Sequence, residues 1–346
     1  MSNAMYLCYH HNDMDGKGAG NEVYKYILNS GIQPVQSMFI MKGYDEPFSE
    51  QDYEGKIVFI VDLSFTMESI RNLFDICEKA NKVVWIDHHK SSIECLQNDD
   101  IRTKLDGYKN LKYFVNNQAC ATLLTHLYCT GFIPSKYENA GYCTDYQIEY
   151  DVNTLVCRVI DGDFNEVRAT IPLHIILIDQ WDRWVYGEDM RPVHFNYGCG
   201  MRNTSLFAYN TKTDSVKTYN RNFWNALQTR TFINKVCNEG FYAKKYADGQ
   251  SRRTLSASSY ECDILGHKAL VVNSPGNSDV FGKKIKDYDL VCIWTYNGKL
   301  GLYQYSFYSD NKNIDCAALA QKFNPSGGGH QSAAGFSSDK LLFKKN

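Results

Sequence analysis

Five of the nine histidines fall in three short clusters built around or beside Asp or Gly: His10-His11-Asn12-Asp13-Met14-Asp15-Gly16, Asp87-His88-His89 and Gly327-Gly328-Gly329-His330. The first two follow apolar, β-rich runs, Met5 to Tyr9 and Lys82 to Ile86. Their side chains therefore hang from strand ends, where an α/β sheet keeps its chemistry. Imidazole and carboxylate concentrated in this way are donors for a divalent metal.

The first third of the chain alternates strand and helix signals. Tyr6 to Tyr9, Ile57 to Val61 and Val83 to Ile86 read as strands, and Lys17 to Asn29 and Thr66 to Asn81 as helices. That alternation predicts a parallel sheet with right-handed crossovers. From about Ala119 to Trp184 the pattern reads as helical, with Ala121 to Tyr128 and Pro172 to Ile178 as apolar stretches packing on the sheet. A polar helical stretch from Asn222 to Gln250 then connects to a run of strands: Glu261 to Leu265, Ala269 to Asn273, Leu290 to Tyr296 and Leu302 to Phe307, with Asn297-Gly298 as a hairpin turn. A helix from Cys316 to Phe323 precedes the glycine cluster.

At 346 residues the chain exceeds the size at which single cores stop growing, so two domains are expected. Apolar residues at 44% and charged residues at 22% leave no disordered segment, and the longest apolar runs are strand-length, short of the roughly 20 residues of a membrane span. The chain reads as soluble. Met1-Ser2-Asn3-Ala4 ahead of Met5 reads as a cloning scar. Twelve cysteines, with no signal peptide and no C-x-x-C pair, predict reduced thiols and a cytoplasmic setting. A formal charge of −2 offers no general attraction for long phosphate backbones, so a nucleic acid substrate is expected to be short and long duplexes are not expected as partners.

In His11-x-Asp13-x-Asp15, side chains at every second position of an extended segment point to one side, a convergence that suits Mn2+ or Mg2+. The competing reading is an Asp-Gly turn capping the helix after Gly16, with His10 as an alternative imidazole. Asp62, straight after an apolar strand, can bridge two metals through its two oxygens or cap the following helix. In Asp87-His88-His89, one His can ligate while its neighbour faces substrate. Asp179 and Asp182 share a helical face and either can supply a further ligand, with Asp145 and Asp161 as weaker alternatives. The flanking Trp181 and Trp184 read as core. Three consecutive glycines, Gly327, Gly328 and Gly329, forfeit backbone entropy that an ordinary loop need not lose. They expose backbone N–H groups able to cradle an anion, and His330 adds a donor.

In this order the clusters resemble the DHH phosphoesterase family in its form with a C-terminal DHH-associated domain. The resemblance runs from Tyr6 to Phe336 and rests on H-x-D-x-D-G, the lone strand-end Asp62, Asp87-His88-His89, and Gly-Gly-Gly-His-x-x-Ala-Ala-Gly-Phe. It implies an α/β fold of two lobes: a parallel-sheet DHH domain over residues 5–190, a partly helical linker over 191–255, and a smaller α/β domain with a mixed sheet over 256–346. Carried over by position, it implies that His11 and Asp13 bind one ion, Asp15 and His88 a second, that Asp62 bridges, and that Asp182, with Asp179 as the alternative, completes the set. The ions are implied to be two Mn2+, with Mg2+ as the alternative. Asp87 orients the site, His89 faces the scissile phosphate together with His330, and Gly327, Gly328 and Gly329 hold substrate. Tyr308 stands where relatives often carry a phosphate-gripping Arg, a role that would pass to Arg202, Arg252 or Arg253.

The implied activity is Mn2+-dependent hydrolysis of a phosphodiester or terminal phosphate in a small nucleotide or short oligonucleotide. A pyrophosphate or polyphosphate hydrolase is the alternative within enzymes, and a non-catalytic nucleotide- or nucleic-acid-binding protein the alternative outside them.

Overall fold

The computed structural model describes residues 6–35, 38–43, 48, 53–133, 146–161, 165–208, 218–275 and 278–345. The chain forms two compact units, Met1–Ala243 and Lys244–Asn346. The first opens with β1 (Tyr6–His11), α1 (Met14–Asn29), β2 (Phe39–Lys42), β3 (Ile57–Val61), α2 (Ile70–Lys79), β4 (Lys82–Asp87), α3 (Lys90–Leu96), α4 (Asp99–Asp106), β5 (Leu111–Val115) and α5 (Ala121–Cys129). Its five strands pair in the order β2-β1-β3-β4-β5, all parallel. Strand order reverses at β1, whose neighbours are β2 and β3, and the crevice at such a point is where open α/β sheets bind ligands.

The strands are apolar on both faces because both faces are covered. Tyr6, Cys8, Phe59, Val84 and Ile86 point into one core with α1 and α5; Leu7, Tyr9, Ile60, Val83 and Trp85 point into the other with α2, α3 and α4. Strands β2 and β5 and helices α3 and α4 carry no separate signal in the sequence pattern.

The stretch expected to be helical from Ala119 to Trp184 is instead split. After α5 come β6 (Gln147–Asp151), β7 (Val156–Ile160) and β8 (Glu166–Thr170), an antiparallel sheet, then α6 (Leu173–Asp182). Alternation decides the matter: Ile148, Cys157, Val159 and Ala169 are buried, while Glu149, Arg158 and Glu166 form ion pairs across the strands on the other side. Next follow α7 (Arg191–Gly200), β9 (Phe207–Ala208), β10 (Thr218–Tyr219), α8 (Arg221–Trp224) and the long α9 (Arg230–Ser258), within which the division between the units falls. Residues 191–243 thus count with the first unit, where Phe195, Trp224 and Val236 are buried.

The second unit contains β11 (Ser259–Ile264), β12 (His267–Asn273), β13 (Leu290–Asn297), β14 (Leu302–Tyr308), α10 (Cys316–Phe323), β15 (Gly328–Gly329) and β16 (Ala333–Ser338). They form one mixed sheet in the order β11-β12-β13-β14-β16-β15, with β12 and β13 as its parallel pair. Helix α10 packs on one face through Ala317 and Ala320, against Tyr305, Phe307 and Phe336.

Within the first unit, α1 and α5 are fastened by a buried polar cluster. Glu22 Oε2 lies 2.8 Å from His126 Nδ1, and its Oε1 accepts from Lys25 Nζ at 2.7 Å and Asn21 Nδ2 at 3.2 Å. Burial would raise this carboxyl, but the His126 hydrogen bond and the Lys25 charge overcome it and hold the group down at about 2. An acid held below its unfolded value of roughly 4.3 contributes stability above that value and loses it as pH falls toward the folded one. The Glu22→Gln variant is therefore expected to flatten the loss of unfolding free energy between about pH 4 and pH 2 in urea titrations; an unchanged acid limb would contradict the assignment.

Candidate metal centre

The turn from β1 into α1 delivers three donors. His11 ends β1, and its Nδ1 lies 2.8 Å from Asp13 Oδ2. Asp13 is the N-cap of α1, its other oxygen accepting the Gly16 amide at 2.8 Å. Capping and facing the imidazole are thus simultaneous rather than competing roles. The residue at 16 has to be glycine, because a Cβ there would lie 2.5 Å from the His11 carbonyl oxygen. Asp15 reaches the site from the first turn of α1, so helix geometry and not strand alternation aims it. Its carboxylate accepts the amides of Ala121 at 2.8 Å and Thr122 at 2.7 Å, at the start of α5.

The ends of β3 and β4 supply the rest. Asp62 follows β3 with φ of +56°, a left-handed backbone uncommon outside glycine and typical of strained functional positions. It caps no helix, since α2 starts only at Ile70. Its two oxygens face different groups: Oδ1 lies 3.3 Å from His88 Nε2, and Oδ2 lies 3.8 Å from His11 Nδ1. His88 Nε2 is also 3.5 Å from Asp15 Oδ2 and 3.4 Å from Asp182 Oδ2, at the last residue of α6. His89 turns to Asp87 instead, Nδ1 to Oδ1 at 2.7 Å, and Ser92 Oγ donates to the second Asp87 oxygen at 2.5 Å. Burial would raise Asp87, but the charge and hydrogen bond of His89, with Ser92, hold it at about 2.

Among the described residues of this unit, His11, Asp13 and Asp62 each place one ligand atom within 4.8 Å of the others, and so do Asp15, His88 and Asp182. Asp62 and Asp182 are each driven well above the usual carboxylate range by burial first and then by neighbouring carboxylates, Asp13 and Asp15 foremost. Asp182 also sits at the negative end of a helix, which supplies no relief. Asp62 Oδ2 and Asp182 Oδ2 are buried and have no hydrogen-bond partner, an arrangement that buried oxygens normally avoid. Cations between these groups would satisfy both oxygens and offset the repulsion. Carboxylates with two imidazoles form a donor set suited to Mn2+ or another hard-to-borderline divalent ion.

The remaining candidates are otherwise employed. Asp179 Oδ1 accepts the Cys120 amide at 2.6 Å, Oδ2 accepts Tyr150 Oη at 2.5 Å, and Arg183 grips both oxygens. Asp161 accepts the backbone and side-chain amides of Asn165, and Asp145 lies outside the described residues. His10 is buried, with Nδ1 on the His11 carbonyl oxygen at 2.9 Å. Trp181 and Trp184 are half-buried rather than core, because α6 ends between them; Trp181 stacks on Tyr186. Cys8 is fully buried and its thiol is pushed up by that burial, unlike a nucleophilic thiolate. Ser92 and the amides at the start of α5 escape the sequence reading. For those amides the one signal is an apolar helix whose cap position, Cys120, offers no capping oxygen of its own.

In the second unit, the glycine segment is an edge strand rather than an open cradle. Gly328 and Gly329 pair with Gly335 and Ala334, the Gly327 amide donates to Asn324 O at 2.8 Å, and the His330 amide to Ala333 O at 2.6 Å. Gly329, at φ of +145°, has no room for a side chain: a Cβ would lie 2.5 Å from Ala333 O. Ladder alternation turns its amide away from β16. Tyr308 packs over the sheet face formed by Val272, Val291 and Ile293. Arg202 pairs with Glu239 and lies over the Phe232 ring, while Arg252 and Arg253 are exposed on α9.

No family model matches the sequence, and no curated protein matches it. Solved structures do. The DHH domain of a member of the s1p family of ribosomal proteins superposes with a TM-score of 0.52 at 15% identity, covering 95% of this chain and 82% of that one. RecJ from Thermus thermophilus, solved in complex with Mn2+, gives 0.42 at 13% identity, covering 97% of this chain and 50% of that one. A pGpG-specific phosphodiesterase, PggH, from Vibrio cholerae gives 0.39 at 12% identity, covering 96% and 92%. The first of these shows that the chain has the DHH fold.

The charge crowding makes a test that needs no substrate. Replacing Asp62 by Asn removes one buried carboxylate from a repulsive cluster and is expected to stabilise the metal-free protein by about 1 kcal/mol while reducing its thermal stabilisation by Mn2+. A lower melting temperature of the metal-free variant would contradict the repulsion described here.

Proposed function

We propose that this DHH-fold chain is a metal-dependent phosphoesterase that hydrolyses a phosphodiester or terminal phosphate of a small nucleotide or short oligonucleotide, with two Mn2+ ions as its cofactor and Mg2+ as the alternative. The observation that carries this reading is the placement of Asp62, one oxygen toward His11 and the other toward His88. His11, Asp13 and Asp62 are assigned to one ion, and Asp15, His88, Asp182 and again Asp62 to the other.

Two divalent ions held by these residues would supply a nucleophilic water near neutral pH and offset charge on the phosphoryl oxygens. The chain's own groups do the rest. Asp87, held by Ser92, fixes the His89 ring through Nδ1, which assigns Nε2 to the phosphate or leaving oxygen. The N-termini of α1 and α5 lie at Asp13 and Asp15, so their dipoles favour anionic groups in the crevice. In the second unit, Gly327, Gly328, Gly329 and His330 are assigned to substrate binding on the strength of their sequence pattern, with the outward Gly329 amide as the donor.

No helix among the described residues is long and apolar enough to cross a membrane. We place the protein in the cytoplasm, supported by cysteines spread singly along the chain.

Metal-free protein loaded with Mn2+ should be assayed against dinucleotides, longer single strands, pyrophosphate and an aryl phosphodiester. Hydrolysis of the dinucleotide or short strand, abolished by chelation, is expected; preferred cleavage of pyrophosphate would move the assignment to that class, and binding without cleavage would reject catalysis. Asp62→Asn is expected to lower kcat by more than about a hundredfold, since even groups one shell removed from a metal cost 10- to 100-fold; a metal-replete, active variant would remove the bridging role. His330→Ala should chiefly raise KM, and unchanged kinetics would count against its assignment.

A further inference from the structure

Helix α5 starts without a cap of its own, yet its first three amides are all satisfied. Ala121 and Thr122 donate to Asp15, and Cys120 donates to Asp179 Oδ1 at 2.6 Å. Asp179 is fully buried, and its two oxygens receive four hydrogen bonds: the Cys120 amide, Tyr150 Oη from β6 at 2.5 Å, and Arg183 Nε and Nη2 at 2.9 and 2.6 Å. A carboxylate so occupied is no ligand. It is instead the knot joining α5, α6 and the small antiparallel sheet.

Asp182 lies three residues further along α6 and ends that helix. Its buried Oδ2 has no hydrogen-bond partner, so its direction toward His88 Nε2, at 3.4 Å, is set by where α6 itself lies. Asp15, on the other side of the same group, is held by the α5 amides adjacent to the one Asp179 holds. Two of the three carboxylates that meet His88, Asp15 and Asp182, therefore depend on Asp179, whereas the third, Asp62, is carried with His11 and Asp13 by the end of β3, β1 and the cap of α1.

We propose that Asp179 is a positioning residue that tunes one of the two cation positions, the one formed by Asp15, His88 and Asp182, and leaves the other largely untouched. The inference rests on the two-ion reading above and adds an asymmetry that reading does not require. Replacing Asp179 by Asn keeps the volume, removes the charge that Arg183 balances, and puts an amide donor where an oxygen accepted.

The test is calorimetric titration of metal-free protein with Mn2+. Wild type is expected to take up two ions; Asp179→Asn is expected to bind one with wild-type affinity and the other roughly 10- to 100-fold more weakly. The double variant Asp179→Asn/Asp182→Asn should still hold one ion at wild-type affinity, which identifies the weakened position. Two ions bound as in wild type would overturn the inference. So would equal weakening of both, the signature of a merely structural residue. Tyr150→Phe deletes one of the four hydrogen bonds and keeps the ring; it is expected to weaken the same ion by a smaller factor, and if Asp179→Asn does not fold, an unchanged Tyr150→Phe overturns the inference. A wild type that binds fewer than two ions would sink the two-ion reading itself, whatever the variants do.

Discussion

Like charges forced together at the edge of a parallel sheet are the constraint around which the first unit is arranged. Asp15, Asp62, Asp87 and Asp182 are drawn into one crevice, three of them almost wholly removed from water. Isolated buried carboxylates are among the costliest groups a fold can hold, so each needs a partner. Asp87 has its partners in His89 and Ser92, and Asp15 in the amides of α5. Asp13 has the start of α1. Asp62 and Asp182 retain buried oxygens without a hydrogen bond, and Asp182 stands at the unfavourable end of a helix. The support is uneven, and the deficit lies where a divalent ion would sit.

The surrounding architecture follows from that demand. A parallel sheet whose order reverses at β1 brings the ends of β1 and β3 side by side. Gly16 lets α1 begin directly against the backbone of His11, so Asp13 and Asp15 turn in without an intervening loop. The buried Glu22, His126 and Lys25 cluster then fastens α1 to α5 further from the crevice, and Asp179 fastens α5 to α6 close to it. Packing on the two apolar faces holds these helices down; the polar links set their register against one another.

Much of this is legible in the sequence. The strand-helix alternation of the first third pointed to the parallel sheet, because apolar runs such as Ile57 to Val61 are covered on both faces and leave a strong signal. Helix α10 matches its expected span, Cys316–Phe323. The clustering of His11, Asp13, Asp15, Asp62, His88 and Asp182 was visible as strand-end or helix-end residues, but their meeting is a property of topology that spacing does not contain. What escaped did so for identifiable reasons. The strands β6 to β8 are short and alternate apolar with charged residues whose partners lie on neighbouring strands, so the pairing of Arg158 with Glu149 and Glu166 leaves no signal along the chain itself. The choice between Asp179 and Asp182 could not be made from a shared helical face, since it depends on Tyr150, Cys120 and Arg183, drawn from three separate elements. The triple glycine reads as an exposed amide row, yet the fold takes the Gly327 and His330 amides for its own turn and ladder.

The most direct test of the central claim is a crystal of the protein grown with Mn2+, measured at the manganese edge. Two anomalous peaks roughly 3.5–4 Å apart on either side of the Asp62 carboxylate are expected. A single peak, or peaks away from Asp62, would contradict a centre built on one carboxylate shared by two ions.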